Sequence, residues 1–304
     1  MKKIFVVISL LCVSLFISGC SKNKLEEEVS IIVPYGSPYL AIGGLLENEN
    51  LKIEAVNGAA NLQTAFVSGS HDIVIAPINL GAKLFNGGKS AYKIASVVTL
   101  NNTYIVTKEE NKLDSIRDLE NEKVLGFGQT GIPGSVISKV YEENNFLDIN
   151  NVDFTFASST AVYSVFVGEN NPAKYALMSE PEISKLVLND NIKVKTLDLS
   201  KCLDVEVVQA CVFVNPNSDA KEINKVLSLI SANVSSLNLD SEAYADKVLS
   251  LDRIFTEMGK DVIVRSIPLT NIVYKDAKEF KDEINNILSI LGVKNPDDSF
   301  YYQR

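Results

Sequence analysis

The residues best equipped for chemistry sit in one stretch, Gln129-Thr130-Gly131-Ile132-Pro133-Gly134-Ser135. It lies between a short apolar run and a segment whose Val136, Ile137, Val140 and Tyr141 share one helical face. A loop leading from a strand into a helix offers free backbone N–H groups, which suits a polar or anionic ligand. Gly126, Gly128 and Gly131 also match the G-x-G-x-x-G spacing of a dinucleotide loop. A dinucleotide site needs an acidic residue near the end of the next strand. That strand closes here as Phe154-Thr155-Phe156-Ala157, and its one carboxylate, Asp153, stands at the start. A ligand-cleft loop is the better reading.

Covalent and metal chemistry are poorly supplied. His71 is the only histidine, and its place just after the helix-ending Gly69 reads as a surface turn. Cys202 and Cys211 are isolated, and the chain has no zinc-ligand pair, P-loop or G-x-S-x-G elbow. The four arginines, Arg117, Arg253, Arg265 and Arg304, fall outside the loops expected to meet a ligand, so a bidentate guanidinium clamp is not expected. Neither enzymatic activity nor a cofactor nor a metal is expected.

The elements that must position such a loop alternate between strand and helix. Ser30 to Val33 reads as a strand stopping at Pro34-Tyr35-Gly36-Ser37-Pro38, with a helix over Tyr39 to Leu46. Lys52 to Val56 is the next strand, followed by the Asn57-Gly58 turn and a helix with Leu62, Ala65 and Phe66 inward, closed by Ser68-Gly69. Asp72 to Ala76 follows as a strand, then Pro77 and a helix carrying Leu80, Leu84 and Phe85. Ile94 to Val98 and Tyr104 to Thr107 read as strands around Asn101-Asn102. The first pattern then returns. Val152 to Phe156 leads through Ser158-Ser159 to a helix closing at Phe166-Val167-Gly168, and Lys174 to Leu177 precedes Pro181 and a helix of Ile183, Leu186 and Val187. Phe66-Val67-Ser68-Gly69 and Phe166-Val167-Gly168 close equivalent helices, so the chain reads as two similar α/β lobes. An accidental match stays open, because proline and small capping residues are common in such helices.

The N-terminus carries an address. Lys2 and Lys3 precede a largely apolar run from Ile4 to Ile17, too short for an ordinary membrane span but suited to a secretory signal over residues 1–19. Ile17-Ser18-Gly19-Cys20 resembles the bacterial lipobox, which implies cleavage before Cys20 and a lipid on its thiol, held on the membrane by several acyl chains. Residues 20–29 are expected to form a flexible tether, since Ser21 to Glu28 is polar, charged and free of aromatic residues. Without Lys2 and Lys3 the formal charge moves from −9 to −11, an acidic balance that argues against nucleic acid. Cys202 and Cys211 are the cysteines left in the body. A disulfide between them stays open, although Val205 to Val214 reads as a strand that would hold them apart.

Together, the lipobox, Val33-Pro34-Tyr35-Gly36-Ser37-Pro38, Ser68-Gly69-Ser70-His71-Asp72-Ile73-Val74, and Leu113-Asp114-Ser115-Ile116-Arg117-Asp118-Leu119-Glu120-Asn121-Glu122-Lys123-Val124 resemble one family. It is the type 2 periplasmic solute-binding proteins of ABC importers, in the branch for sulfonates, taurine, nitrate and thiamine-pyrimidine precursors. Members place G-x-x-D before a buried strand and I-x-D-L-x-G-K before the first strand of lobe two. Asn121-Glu122 stands here where a glycine is frequent. The resemblance runs from Ser30 to about Pro216, and the tail from Asp297 to Tyr302 is similar to that of related lipoproteins.

The resemblance implies two similar lobes, each a mixed sheet flanked by helices, joined by a two-segment hinge. Residues 30–107 and 210–304 would form lobe one and 108–209 lobe two, with hinges at Thr107 to Asn111 and Gln209 to Val214. It places a ligand between the lobes. From lobe one the implied contacts are Tyr35, Gly36, Ser37, Tyr39, Asn57, Gly58, Asn79, Asn101 and Asn102, beside Pro77 and Ile78. From lobe two they are Gln129, Thr130, Gly131, Gly134, Ser135, Ser158, Ser159, Thr160, Ser179 and Glu180. Tyr35, Tyr39 and Tyr163 would stack on a flat ring whose edge Asn79, Asn101, Asn102 and Glu180 read. A carboxylate facing the cleft favours a neutral or cationic heterocycle, such as a thiamine-pyrimidine precursor, over an alkanesulfonate. The implied partners are a small-molecule ligand and the permease and ATPase subunits of an ABC importer, served by a monomer outside the cell. Two other classes stay open. One is an enzyme on the same fold, which in a related eukaryotic family relies on a cysteine cluster absent here. The other is an adhesin or structural lipoprotein with no closable cleft.

Overall fold

The computed structural model describes residues 25–169, 171–188 and 191–304. The expected signal segment and Cys20 lie outside the described residues. Two sheets carry the fold. The first has six strands, in the spatial order Ile272–Asp276, Lys93–Thr99, Ala210–Val214, Ile73–Pro77, Val29–Pro34 and Leu51–Val56, and the second five, in the order Val152–Phe156, Val124–Phe127, Tyr175–Met178, Tyr104–Lys108 and Val194–Asp198.

Lobe one opens with β1 (Val29–Pro34), a helix α1 (Ser37–Ile42), β2 (Leu51–Val56), α2 (Ala59–Ser68), β3 (Ile73–Pro77) and α3 (Ile78–Asn86). Lobe two repeats the plan with β6 (Val124–Phe127), α4 (Ile132–Glu143), β7 (Val152–Phe156), α5 (Ser159–Phe166), β8 (Tyr175–Met178) and α6 (Glu182–Leu188). In both lobes the first strand lies between the second and third, all parallel. The equivalence expected from the Phe-Val-Gly and proline positions therefore holds in topology. α2 and α5 each follow the edge strand of their sheet, and Pro77 and Pro181 each lie at the exit of the third strand. Strands buried on both faces explain the apolar runs. Ile73, Val74, Ile75 and Ala76 are all buried, as are Tyr175, Ala176, Leu177 and Met178.

The chain crosses between lobes earlier than expected. β4 (Lys93–Thr99) ends in sheet one, and β5 (Tyr104–Lys108) pairs antiparallel with β8 and β9 (Val194–Asp198) in sheet two. The outward crossing is therefore Leu100 to Thr103. Thr107 and Lys108, expected at the hinge, belong to a paired strand. The return runs from helix α7 (Leu199–Leu203) through Asp204 to Gln209 into β10 (Ala210–Val214), which pairs antiparallel with β3 and β4. Only Ala210–Val214 of the expected Val205 to Val214 strand is strand, because the preceding residues bond across the crossing instead. Cys202 and Cys211 are both free. The remaining chain returns to lobe one as α8 (Ala220–Leu239), α9 (Ser241–Leu249), α10 (Arg253–Met258), α11 (Lys260–Ser266), β11 (Ile272–Asp276) and α12 (Lys281–Ile290).

Leu25 and Glu26, expected to belong to a flexible tether, are fixed to lobe one. Leu25 is buried in the lobe-one core, its carbonyl accepts from Asn50 Nδ2 at 3.0 Å, and Glu26 pairs with Lys221 and Lys225. One leucine and one carboxylate therefore pin a stretch that reads as polar slack.

Asp72, the acid of the G-x-x-D string, ties three segments together. Its carboxylate accepts from the Ser30 N–H at 2.8 Å, Ser30 Oγ at 2.6 Å and Ser218 Oγ at 2.6 Å. Burial raises its pKa, but the bonds from Ser218 and Ser30 outweigh this and hold the carboxyl below the usual range. A depressed acid stabilises the fold above its unfolded value of about 3.9 and loses that contribution as pH falls through the folded value. Asp72→Ala should therefore cost about 1–3 kcal/mol at neutral pH. Urea melts should show a smaller deficit at about pH 3, and an equal deficit at both would remove the ionised carboxylate from the account.

Candidate functional site

A cavity of about 870 Å³ opens between the two sheets. Its wall is built at the carboxyl ends of the parallel strands, where open α/β sheets leave a crevice between diverging loops. Tyr35, Gly36 and Ser37 follow β1, Asn57 follows β2 and Asn79 follows β3. From lobe two come Thr130 and Gly131 after β6, Ser158, Ser159 and Thr160 after β7, and Ser179 and Glu180 after β8, with Asn102 of the crossing between the lobes.

Tyr39, Gly58, Asn101, Gln129, Gly134 and Ser135, also expected to meet a ligand, lie outside this wall. Tyr39 sits inside lobe one, stacked on Phe255 at 4.9 Å between ring centroids and donating its phenol to Asp252 at 2.7 Å. Burial and Asp252 push that phenol's pKa up. Gly58, at φ 78°, caps α2. Asn101 stitches the two crossings together. Its N–H donates to the Val207 carbonyl at 2.7 Å, its Oδ1 accepts from the Val207 N–H at 2.9 Å, and Gln209 Nε2 donates to its carbonyl. Asn101 and Asn102 both have positive φ, 52° and 57°, a conformation asparagine tolerates better than most side chains.

The glycine loop folds on itself. Gly128 O accepts from the N–H of Gly131 at 2.8 Å and of Gly134 at 3.2 Å, and the Ser135 N–H donates to Gly131 O. The N–H groups of Gly131, Gly134 and Ser135, expected to be free for a ligand, are thus engaged, with Gly128 at φ 61° turning the chain back over the helix start. Thr130 and Gly131 remain on the cavity wall as the outer surface of that turn.

Other hydroxyls also have structural work. Ser158 Oγ accepts from the Ala161 N–H as the cap of α5, Ser159 Oγ accepts from the Ser179 N–H, and Thr160 Oγ1 donates to Glu182 Oε1 at 2.9 Å. A hydroxyl that accepts still has a proton to donate, so Ser158 and Ser159 keep capacity toward a ligand. Tyr163, partly buried, packs against the lobe-two core and does not line the cavity wall.

The wall also holds groups that sequence reasoning did not single out: Lys83, Lys185, Glu182, Glu257, Phe127 and Met258. Lys83 had a signal available, since it stands four residues after Asn79 and therefore on the same face of α3. Lys185 and Glu182 form an ion pair at 3.7 Å, and Glu257 pairs with Arg253 at 2.7 Å. Glu180 is 4% exposed, and burial pushes its carboxyl up to about 7. His71 lies away from the cavity, beside Ser70 Oγ and Glu54, as a turn residue. Among the described residues no cluster of histidine, cysteine or carboxylate fits a metal ion, and no helix is long and apolar enough to cross a membrane.

Two lobes of matching topology, a double crossing and a cleft at the strand ends define the type 2 periplasmic binding protein fold. Solved structures share it. An ABC transporter protein from Parabacteroides distasonis superposes with a TM-score of 0.77 at 18% identity, covering 92% of this chain and 100% of that one. The periplasmic aliphatic sulphonate binding protein SsuA from Escherichia coli gives 0.70 at 12% identity over 91% and 92%. The zinc-bound ligand-binding component of an ABC-type import system from Staphylococcus aureus gives 0.69 at 14% over 91% and 97%. No family model matches the sequence, and no curated protein matches it. At these identities the likeness establishes the fold.

Proposed function

We propose that this protein captures a small organic molecule in the interlobe cleft outside the cell and delivers it to the permease and ATPase of an ABC importer. The cavity carries this reading. Its volume falls within the usual range for small-molecule sites, it draws polar groups from both lobes, and it sits where the fold leaves strand ends open. Contact with both lobes is what allows a ligand to favour one interlobe arrangement, which a transporter can then read. The fold neighbours among import components support the same role. Lipidation of Cys20 would hold the body close, since five extended residues from there to Leu25 reach at most about 18 Å.

Within this reading the ligand is a flat neutral or cationic heterocycle of the thiamine-pyrimidine type, lying against Tyr35 with its edge toward Asn79 and Glu180. A second reading, an alkanesulfonate or taurine, is favoured by the ammonium of Lys83 on the wall. A thermal-shift panel of vitamins, pyrimidines, sulfonates and amino acids on the mature chain separates them. A true ligand at one hundred times its Kd should add about 2.7 kcal/mol, raising Tm by roughly 5–11 °C. Stabilisation by sulfonates alone would sink the heterocycle. Stabilisation by nothing would point to a structural lipoprotein, and chemical conversion of the bound compound would point to an enzyme.

A further inference from the structure

Among the described residues five charged side chains line the cleft, and they are not equally provided for. Glu182 has Lys185 and Thr160, Glu257 has Arg253, and Lys83 is exposed to water. Glu180 is buried. One oxygen, Oε2, accepts from the Ser184 N–H at 3.0 Å, and no cation pairs with the carboxylate among the described residues. The charged and titratable groups around it are Glu182 and Lys185 on α6, Arg265 on α11 and Tyr104 on β5. Across the cleft, Asn79 is 8% exposed, and its amide has no hydrogen-bond partner among the described residues. Glu180, with one hydrogen bond to its carboxylate, and Asn79, with none to its amide, thus keep bonding capacity on the cleft wall that a ligand can complete.

Glu180 is also held with unusual care. Asn102 Oδ1 accepts from the Glu180 N–H at 2.7 Å, and Asn102 Nδ2 donates to the Glu180 carbonyl at 3.2 Å and to Ser37 Oγ at 3.0 Å. One side chain on the crossing thus grips the base of the acid from lobe two and a cleft hydroxyl from lobe one.

We propose that the cleft selects a ligand with a cationic nitrogen, an amidinium or a protonated amine or ring, seated between Glu180 and Asn79, and that Asn102 is the positioning residue that holds Glu180 for it. This rests on the cleft-binding reading above and adds the sign of the charge. An anion would meet the buried carboxylate, whereas Lys83 stays hydrated and needs no counterion. A cation completes Glu180 and leaves the Asn79 carbonyl to take a second N–H. Because burial holds the Glu180 carboxyl up to about 7, its ionised fraction climbs steeply around neutrality. Cation affinity should climb with it.

The test uses three probes of nearly one shape, benzamidine, benzamide and benzenesulfonate, titrated calorimetrically into the mature chain at about pH 6 and about pH 8. Benzamidine should bind most tightly and gain about tenfold between the two, the ratio of ionised carboxylate for a group titrating near that midpoint. Glu180→Gln should lower its affinity at least about tenfold at the higher pH and flatten the profile. Asn102→Gly keeps the positive φ and removes the clasp. It should weaken benzamidine and shift the pH midpoint, which a merely structural role would not do, and Asn102→Asp, which keeps the acceptor for the Glu180 N–H, should recover part of the affinity. Preference for benzenesulfonate overturns the proposal, as does benzamidine binding that ignores both pH and Glu180→Gln. So does a wild-type chain that rejects benzamidine but binds another panel compound equally well with and without the carboxylate. A chain stabilised by no member of the panel overturns instead the binding reading beneath it.

Discussion

Alanine at Gly134 should leave the protein folded and remove most of its affinity for any ligand the cleft accepts. A Cβ there would lie 2.5 Å from Gln129 Cα and 2.7 Å from Gln129 O, and closer still to Gly128 O. All three are backbone atoms, so no rotamer change relieves the clash and the loop itself must move. Helix propensity works the other way, since alanine gains up to about 1 kcal/mol over glycine inside a helix. Overpacking of this kind costs about 1–3 kcal/mol, so the net loss of stability should be modest. The displaced residues, however, include Thr130 and Gly131 on the cleft wall. Calorimetry with the best compound from the panel should show at least about a tenfold loss of affinity, about 1.4 kcal/mol, beside a small change in Tm. Unchanged affinity would mean that the glycine turn does not shape the site.

Gly134 also marks how far the sequence could be read. The elements were legible because strands buried on both faces leave continuous apolar runs, as at Ile73–Pro77, and helices leave faces such as Val136, Ile137 and Val140. Strand membership was not. Tyr104–Lys108 has the same β-branched pattern whichever sheet receives it, and partners more than sixty residues away decide. The cleft was legible as a set of strand ends, but its side-chain bonds were not. Asn101 and Asn102 are adjacent and of one residue type, yet one stitches the crossings and the other grips Glu180. The family resemblance implies Gly134 as a ligand contact. It is glycine because Gly128 and Gln129 pass beneath it. Leu25 was lost in a polar window for a related reason, since composition averages over the one side chain that finds the core.

The C-terminal tail gives the opposite outcome from Gly134: a large effect on stability and almost none on binding. Phe300 is fully buried, 4.9 Å from Phe85 and 6.0 Å from Phe213 between ring centroids, and Tyr301 packs against it at 5.6 Å. Backbone pairing holds the segment in place, with Tyr301 bridged to Ile94 and the Tyr302 N–H donating to the Ile94 carbonyl at 2.8 Å. Phe213 is itself fully buried and edge-on to Phe66, so removing Phe300 opens a void in a continuous aromatic layer against β10 and β4. Neither the tail nor Phe85 lines the cleft. Phe300→Ala should therefore cost about 3–5 kcal/mol, lowering Tm by roughly 6–20 °C, while the Kd of the best ligand, measured well below the melt, stays within about twofold. The void has little chance to collapse, because strand pairing holds Phe213 in β10 and the bridge to Ile94 holds Tyr301, which places the expectation toward the upper end of that range. A loss of binding comparable to that of Gly134→Ala would show that the aromatic layer sets the geometry of α3, and with it Asn79. A Tm within a few degrees of wild type would show that the tail is an appendage to a core complete without it.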